Sequence, residues 1–192
     1  GGGADPGSAA RYFNDKTYPK TAQEAAPQWV REDGVFCLKF DGKGNIVTFP
    51  RETIPSGSFR LSFEIKPLSN KEQALLECRS KYIGPLHLRL KSGKLQAVYR
   101  DWNLTKHAQA EFGVEAGESV QIPLGKWSKV EVAYDLKRLR ISVNGKAGKD
   151  TPLSQPGYSF SSCVFGGFGG DSAAYYEGYL RAFRVQHGAK MD

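Results

Sequence analysis

Gly125-Lys126-Trp127-Ser128-Lys129-Val130-Glu131-Val132-Ala133-Tyr134-Asp135 runs through Leu136-Lys137-Arg138 into Leu139-Arg140-Ile141-Ser142-Val143-Asn144-Gly145-Lys146. Val130, Val132 and Tyr134 recur at every second position, and so do Leu139, Ile141 and Val143. A period of two places one set of side chains on one face of a pleated strand and the other set on the opposite face, the pattern of a half-buried antiparallel strand. Asp135 to Arg138 joins the two strands. Asn144-Gly145 then supplies the residues that best tolerate the positive φ angles of a type I′ turn. Trp127 is a large aromatic anchor at the opening of the first strand.

The same alternation extends toward both ends. Phe36, Leu38 and Phe40 repeat it, as do Phe59, Leu61, Phe63 and Ile65, Leu86, Leu88 and Leu90, and Leu95, Ala97 and Tyr99. Each set predicts a strand with its apolar residues facing inward. Asp41-Gly42, Ser56-Gly57 and Ser92-Gly93 lie between or beside these runs as turn signals. Helical periodicity occurs only around Thr21 to Ala26, too short to stand alone before Pro27. About ten or more short strands with regular turns predict an all-β sandwich. Residues 1–11 are small, polar and glycine-rich and read as a flexible leader or linker, with the domain expected over 12–188 and a tail over 189–192. No basic, apolar signal segment opens the chain, so a targeting peptide is absent or already removed.

The 192 residues carry 27 basic and 20 acidic side chains, a net +7. Residues 1–78 hold ten of each sign and cancel. Residues 79–108 hold seven basic side chains against Asp101 alone, a local +6. No apolar stretch approaches the ~18 residues of a membrane span, and the 23 aromatic residues exclude a disordered composition. Cys37, Cys78 and Cys163 form an odd set without C-x-x-C spacing, which argues against zinc or thioredoxin-like chemistry. They read as buried thiols in strands, with one disulfide plus a free thiol as the alternative.

The run Leu38-Lys39-Phe40-Asp41-Gly42, the segment Val47-Thr48-Phe49-Pro50 and the strand Gly57 to Pro67 resemble the opening of concanavalin A-like, laminin-G-like sandwich domains. The Gly125–Lys146 hairpin, Phe165-Gly166-Gly167 and Tyr176 to Val185 resemble that family's later half. The resemblance covers about residues 30 to 186, with Tyr12 to Trp29 as the family's variable entry strand. It implies a concanavalin A-like jelly-roll β-sandwich of two antiparallel sheets, and an extracellular, periplasmic or cell-surface setting. Many domains of that class hold Ca²⁺ near a sandwich rim, and Asp41 and Asp171 are the positions where this chain offers a carboxylate. Arg181 departs from the pattern, standing where the family's last strand commonly carries an acidic residue.

Catalysis finds little support. Sandwich glycosidases need two carboxylates about 5 to 9.5 Å apart across a groove, and the E-x-D-x-E motif of related β-glucanases is missing. Glu64 and Glu131 face away from the apolar set, each alone on its strand, and read as solvated or salt-bridged. No nucleophile elbow or triad surrounds His87, His107 or His187. Gly166-Gly167-Phe168-Gly169-Gly170 lacks the helix and lysine of a nucleotide cradle.

The basic stretch acquires a location from the alternation. With Leu86, Leu88 and Leu90 inward, His87, Arg89 and Lys91 point outward. On the partner strand Lys94, Gln96, Val98 and Arg100 do the same. Trp102 and Asn103 follow at once, a flat ring and an amide of the kind that bind sugar rings and hydroxyls. His87, Arg89, Lys91, Gln96, Arg100, Trp102 and Asn103 are therefore the candidate ligand-binding residues. A solvated strand face with Trp102 folded over the core is the plain alternative. Asn103-Leu104-Thr105 is also formally an N-glycosylation acceptor. The expected function is non-catalytic binding of a polysaccharide or glycoprotein glycan, acidic in character, by a domain of a larger secreted or cell-surface protein. The alternative is a structural domain packed against an adjacent domain of the same chain, with hydrolase or lyase activity third. Nucleic acid is not an expected partner, because most aromatics alternate inward.

Overall fold

The computed structural model describes residues 26–80, 83–101, 112–152, 160, 162–167 and 174–191, and of residues 80, 83–85, 98–101 and 112–120 the backbone alone. The expected leader, all but Ala26 of the helical run at Thr21 to Ala26, and most of the proposed entry strand lie outside these residues. The strands are β1 (Gln28–Glu32), β2 (Val35–Asp41), β3 (Val47–Phe49), β4 (Phe59–Pro67), β5 (Gln73–Ser80), β6 (Ile83–Lys91) and β7 (Lys94–Asp101). They continue as β8 (Phe112–Gln121), β9 (Ser128–Tyr134), β10 (Arg138–Val143), β11 (Lys146–Ala147), β12 (Thr151–Pro152), β13 (Ser162–Phe165) and β14 (Glu177–His187). No helix occurs among the described residues.

These strands form two sheets. One runs β1-β2-β14-β4-β9-β10-β11, with β12 also pairing β10, and the other runs β3-β13-β5-β6-β7-β8. Strand β4 shows why they close on each other. Phe59, Leu61, Phe63 and Ile65 have no exposed surface, while Arg60, Ser62, Glu64 and Lys66 alternate to the outer side. Leu86, Leu88 and Leu90 of β6 and Leu95 and Ala97 of β7 are buried from the opposite sheet, as the period-two pattern predicts. Burying a residue of this size stabilises by about 1.5–3 kcal/mol relative to leaving it exposed.

An aromatic cluster sits between the sheets. Phe63 of β4 meets Phe165 of β13 edge-on with ring centroids 5.5 Å apart, and Phe40 and Tyr176 lie 5.6 and 5.8 Å from Phe165. The chain leaves this cluster through Gly166 at φ +97°. A Cβ there would lie 2.6 Å from both the Asn45 carbonyl oxygen and the Phe40 ring, so only glycine lets β13 end against them.

The hairpin turns follow their sequence signals. Ser92 and Gly93 have φ of 51° and 74°, and Asn144 and Gly145 have 52° and 79°, the doubly positive pair of a type I′ turn. The Asn144 side-chain oxygen accepts the Lys129 N–H at 2.8 Å, stapling the turn to the start of β9. Residues 189–191 lie against the sandwich, with Ala189 buried and the Lys190 carbonyl accepting from Arg60 at 3.2 Å.

One strand departs from the expected pattern. Phe36 shares the inward face of β2 with Leu38 and Phe40, yet it is 70% exposed, and Trp29 on β1 is 74% exposed. Strands β1 and β2 end the larger sheet, and Phe36 lies at their turn, beyond the core that covers Phe40. The Arg31 guanidinium instead stands 5.2 Å from the Phe36 ring centroid.

The close approach at Gly166 gives a direct test. Gly166→Ala is expected to destabilise the domain by about 2–4 kcal/mol, combining strain at positive φ with overpacking against Phe40. Gly57→Ala, where a Cβ would meet nothing within 4 Å, is expected to be nearly neutral. Urea midpoints of the two variants measure the difference.

Candidate functional site

The hairpin β6–β7 sits in the smaller sheet with Lys91 opposite Lys94, Arg89 opposite Gln96 and His87 opposite Val98. These pairs share the outer face, as alternation requires. The neighbouring strand changes their electrostatics. Glu77 of β5 lies directly opposite His87, and its carboxylate pairs with Arg79 at 3.1 Å. Arg89 donates from Nε to the Gln96 side-chain oxygen at 2.9 Å and stands 3.8 Å from Glu72. Gln96 is only 7% exposed and Glu77 only 5%. The middle of the face is thus a packed polar layer rather than a bare basic surface. A charge count along the chain misses Glu72 and Glu77, which pairing brings beside the hairpin.

The excess charge survives at the tip. Lys91 and Lys94 are both exposed, directly opposite each other, and neither has an ion-pair partner among the described residues. Like charges placed directly across two strands repel, so nothing in folding favours this pair.

The Ser92-Gly93 turn between them forms the lip of a cleft of about 400 Å³ at one end of the sandwich. Leu90, Ile122 and Leu124 give it apolar walls, and Ser69, Asn70 and Ser92 give it hydroxyl and amide groups. Three hydrogen bonds hold its sides. The Ile122 N–H donates to the Gly93 carbonyl at 2.8 Å, the Gly125 N–H to the Pro67 carbonyl at 2.7 Å, and Gln73 Nε2 to the Ser69 carbonyl at 2.5 Å. Apolar walls with a few polar groups are the general make-up of a small-molecule site. The sequence signal for this cleft was the Ser92-Gly93 turn, but its other wall comes from segments distant in the chain.

The remaining candidates separate. Arg100 lies in β7 with only its backbone described, and Trp102, Asn103 and Asp171 lie outside the described residues. Asp41 accepts the Lys43 N–H at 2.8 Å and so caps its own turn. Among the described residues no three His, Cys, Asp or Glu side chains come together as a metal site.

A second polar cluster, missed in the sequence, covers the outer face of the larger sheet. Asp33, with Gly34, forms the β1–β2 turn at φ 49° and 78°, so Asp33-Gly34 was its signal. Its carboxylate accepts from Trp127 Nε1 at 2.9 Å and from Lys66 Nζ at 3.0 Å. Lys66 also donates to Glu32 at 2.5 Å. The Arg181 guanidinium lies 4.2 Å from the Trp127 ring centroid and pairs with Glu64. Arg181 is therefore the cation that neutralises Glu64 and stacks on Trp127. Glu131 pairs with Arg60 at 3.5 Å, so both outward carboxylates singled out in the sequence are engaged in ion pairs. The hydrogen bond from Lys66 holds the Asp33 carboxyl below the usual carboxylate range, against the opposing effect of desolvation and with help from Trp127.

Two antiparallel sheets closed over one core, with polar outer faces and a cleft at one end, define a concanavalin A-like jelly-roll sandwich. The model of the concanavalin A-like lectin/glucanases superfamily, in its laminin G form, matches residues 41–191, and the chain belongs to that family. No curated protein matches the chain. Among solved structures, mouse laminin alpha1 chain domains LG4-5 are 16% identical with a TM-score of 0.61, over 78% of this chain and 40% of that one. The receptor binding domain of botulinum neurotoxin mosaic serotype C/D is 11% identical with a TM-score of 0.58, over 85% and 47%. The enzymatically active domain of bacteriophage CBA120 tailspike protein 2 is 14% identical with a TM-score of 0.58, over 83% and 27%. The chain thus spans less than half of each of these proteins, and at such identities the likeness is one of fold.

The Asp33 cluster has a pH signature. A carboxyl held below its unfolded value contributes stability that is present above that value and is lost as pH falls through the lowered one. Wild-type protein is expected to melt at a higher temperature than Asp33→Asn at neutral pH, with the gap closing as pH falls through and below the ordinary carboxylate range. Melting temperatures across that range check it, and a gap that stayed constant would remove the ion pair from the account.

Proposed function

We propose that this domain is a non-catalytic carbohydrate-binding module of a larger secreted or cell-surface protein, and that it takes an acidic glycan at the tip of the β6–β7 hairpin. The observation that carries the reading is the opposed pair Lys91 and Lys94 on the lip of the end cleft, which has no ion-pair partner among the described residues. Two ammonium groups in one place offer charge-assisted hydrogen bonds to a carboxylate or sulfate. The cleft beside them offers Leu124 to the face of a sugar ring and Ser69, Asn70 and Ser92 to its hydroxyls. Arg89, held by Gln96 and Glu72, adds a preorganised cation one pair further along. Arg100, Trp102 and Asn103, the remaining candidates, follow in the chain. A shallow exposed site of this kind binds weakly, and repetition of the domain in a parent protein supplies avidity.

The alternative is a domain that packs against an adjacent domain of the same chain. Trp29 and Phe36, both largely exposed at the sheet edge, favour it, because exposed aromatics at an edge mark contact surfaces. The two readings use different residues and are separable.

Affinity electrophoresis in gels containing sulfated, uronic or neutral polysaccharide tests the proposal. Retardation is expected in the sulfated or uronic gels, weakening as salt is added. The double variant Lys91→Ala/Lys94→Ala is expected to bind about tenfold more weakly, which corresponds to about 1.4 kcal/mol. Arg89→Ala is expected to cost less, since its guanidinium is already shared with Gln96 and Glu72. Unchanged migration of the wild-type protein in every gel would sink the glycan reading and favour the packing one.

A further inference from the structure

The three cysteines occupy different surroundings. Cys37 lies in β2 of the larger sheet on its outer face, its sulfur 3.9 Å from the Val30 carbonyl. Cys78 of β5 and Cys163 of β13 both point into the core from the smaller sheet and have no exposed surface. They are directly opposite in register, between the pairs Leu76–Phe165 and Arg79–Ser162, and their Sγ atoms lie 2.7 Å apart.

Directly opposed residues on antiparallel strands have Cα atoms about 4.5 to 5.5 Å apart. That interval lies within the ~4.4–6.8 Å range that a disulfide spans. The backbone is therefore already in place for a bond, and no strand need move. Cys37 cannot compete, because it is on the far side of the other sheet. Three cysteines allow three pairings on paper, and the fold leaves one.

We propose that Cys78 and Cys163 are an oxidation site that closes into a cross-strand disulfide when the chain folds in an oxidising compartment, with a low-molecular-weight disulfide such as oxidised glutathione as the oxidant. One cysteine thiolate attacks a sulfur of the oxidant, forming a mixed disulfide and releasing one glutathione thiolate. The second cysteine thiolate attacks the protein sulfur of that mixed disulfide, forming the Cys78–Cys163 bond and releasing the second glutathione thiolate. The two protons lost by the cysteines are taken up by the two glutathiones, and the oxidant's disulfide is reduced as the protein's is made.

Burial sets the timing. The Cys78 thiol is driven well above its ordinary pKa by removal from water, so in the closed sandwich it is neither exposed nor ionised. Exchange therefore takes place while β5 and β13 are still accessible, and the bond is afterwards shielded from reductant. It ties residues 85 apart in the sequence, a long loop whose closure restricts the unfolded chain. The cross-link stands independently of any ligand at the hairpin tip.

The full chain, refolded with and without a glutathione redox buffer, tests this. In the oxidised preparation intact mass is expected to fall by about 2 Da, the mass of two hydrogens lost in forming one disulfide. One thiol, Cys37, is expected to remain alkylatable after denaturation, and a non-reducing digest is expected to yield a peptide joining Cys78 to Cys163. Cys37→Ala should keep the mass loss, Cys78→Ala and Cys163→Ala should abolish it, and the rise in melting temperature on oxidation should vanish in the latter two. Three thiols alkylatable after denaturation of the glutathione-treated protein, a peptide joining either cysteine to Cys37, or only intermolecular dimers would each overturn the proposal.

Discussion

Phe63 against Phe165 is the contact on which the rest of the structure depends, because it is where the inward face of one sheet meets the inward face of the other. Phe63 brings with it Phe59, Leu61 and Ile65 on β4, and Phe165 brings Cys163 on β13. A one-residue slip in any of these strands would turn its apolar set to water and its charges inward. The core therefore fixes register, and register fixes which charges lie side by side on the outer faces. Arg181 over Trp127, Lys66 beside Asp33 and Lys91 opposite Lys94 are all consequences of that one burial requirement.

Period two is a local property, and so the faces of β4, β6, β7, β9 and β10 were legible in the chain. The Ser92-Gly93 and Asn144-Gly145 turns were legible for the same reason. Everything that depended on which strand lies beside which was not. Glu77 belongs to a segment whose charges cancel in a running count, yet it lies across from His87. Gln96 alternates outward as expected and is still buried, because Arg89 and its neighbours close over it. Phe36 obeys the alternation of β2 and is nonetheless exposed, since the edge of a sheet extends past its core. The Cys78–Cys163 pairing could be chosen only once β5 and β13 were adjacent.

Both outer faces carry paired cations beside exposed ones, and what sets the hairpin tip apart is the cleft next to it. On the larger sheet three cations have a carboxylate within reach: Lys66 has Glu32 and Asp33, Arg181 has Glu64, and Arg60 has Glu131. Exposed pairs of this sort add little to stability individually, and Lys39, Lys129 and Arg184 of the same sheet are exposed without an ion pair among the described residues, but none of them lines the end cleft. On the smaller sheet Arg89 is paired, and the two lysines beyond it face each other with no carboxylate partner among the described residues. A site for an anion is most economically placed where a fold has left cations unneutralised beside a cleft, and the hairpin tip meets both conditions. Its rigidity comes from the sheet behind it, to which the β5–β13 cross-link adds a covalent tie two strands away.

The most direct test of this account is a backbone amide chemical-shift titration of the isotopically labelled full chain with a sulfated or uronic oligosaccharide. The account requires the largest salt-sensitive shifts at Leu90 to Lys94, at Ser69 and Asn70, and at Ile122 to Leu124. Shifts concentrated on Trp29 to Phe36 in the β1–β2 hairpin, or no shifts at saturating oligosaccharide, would contradict it.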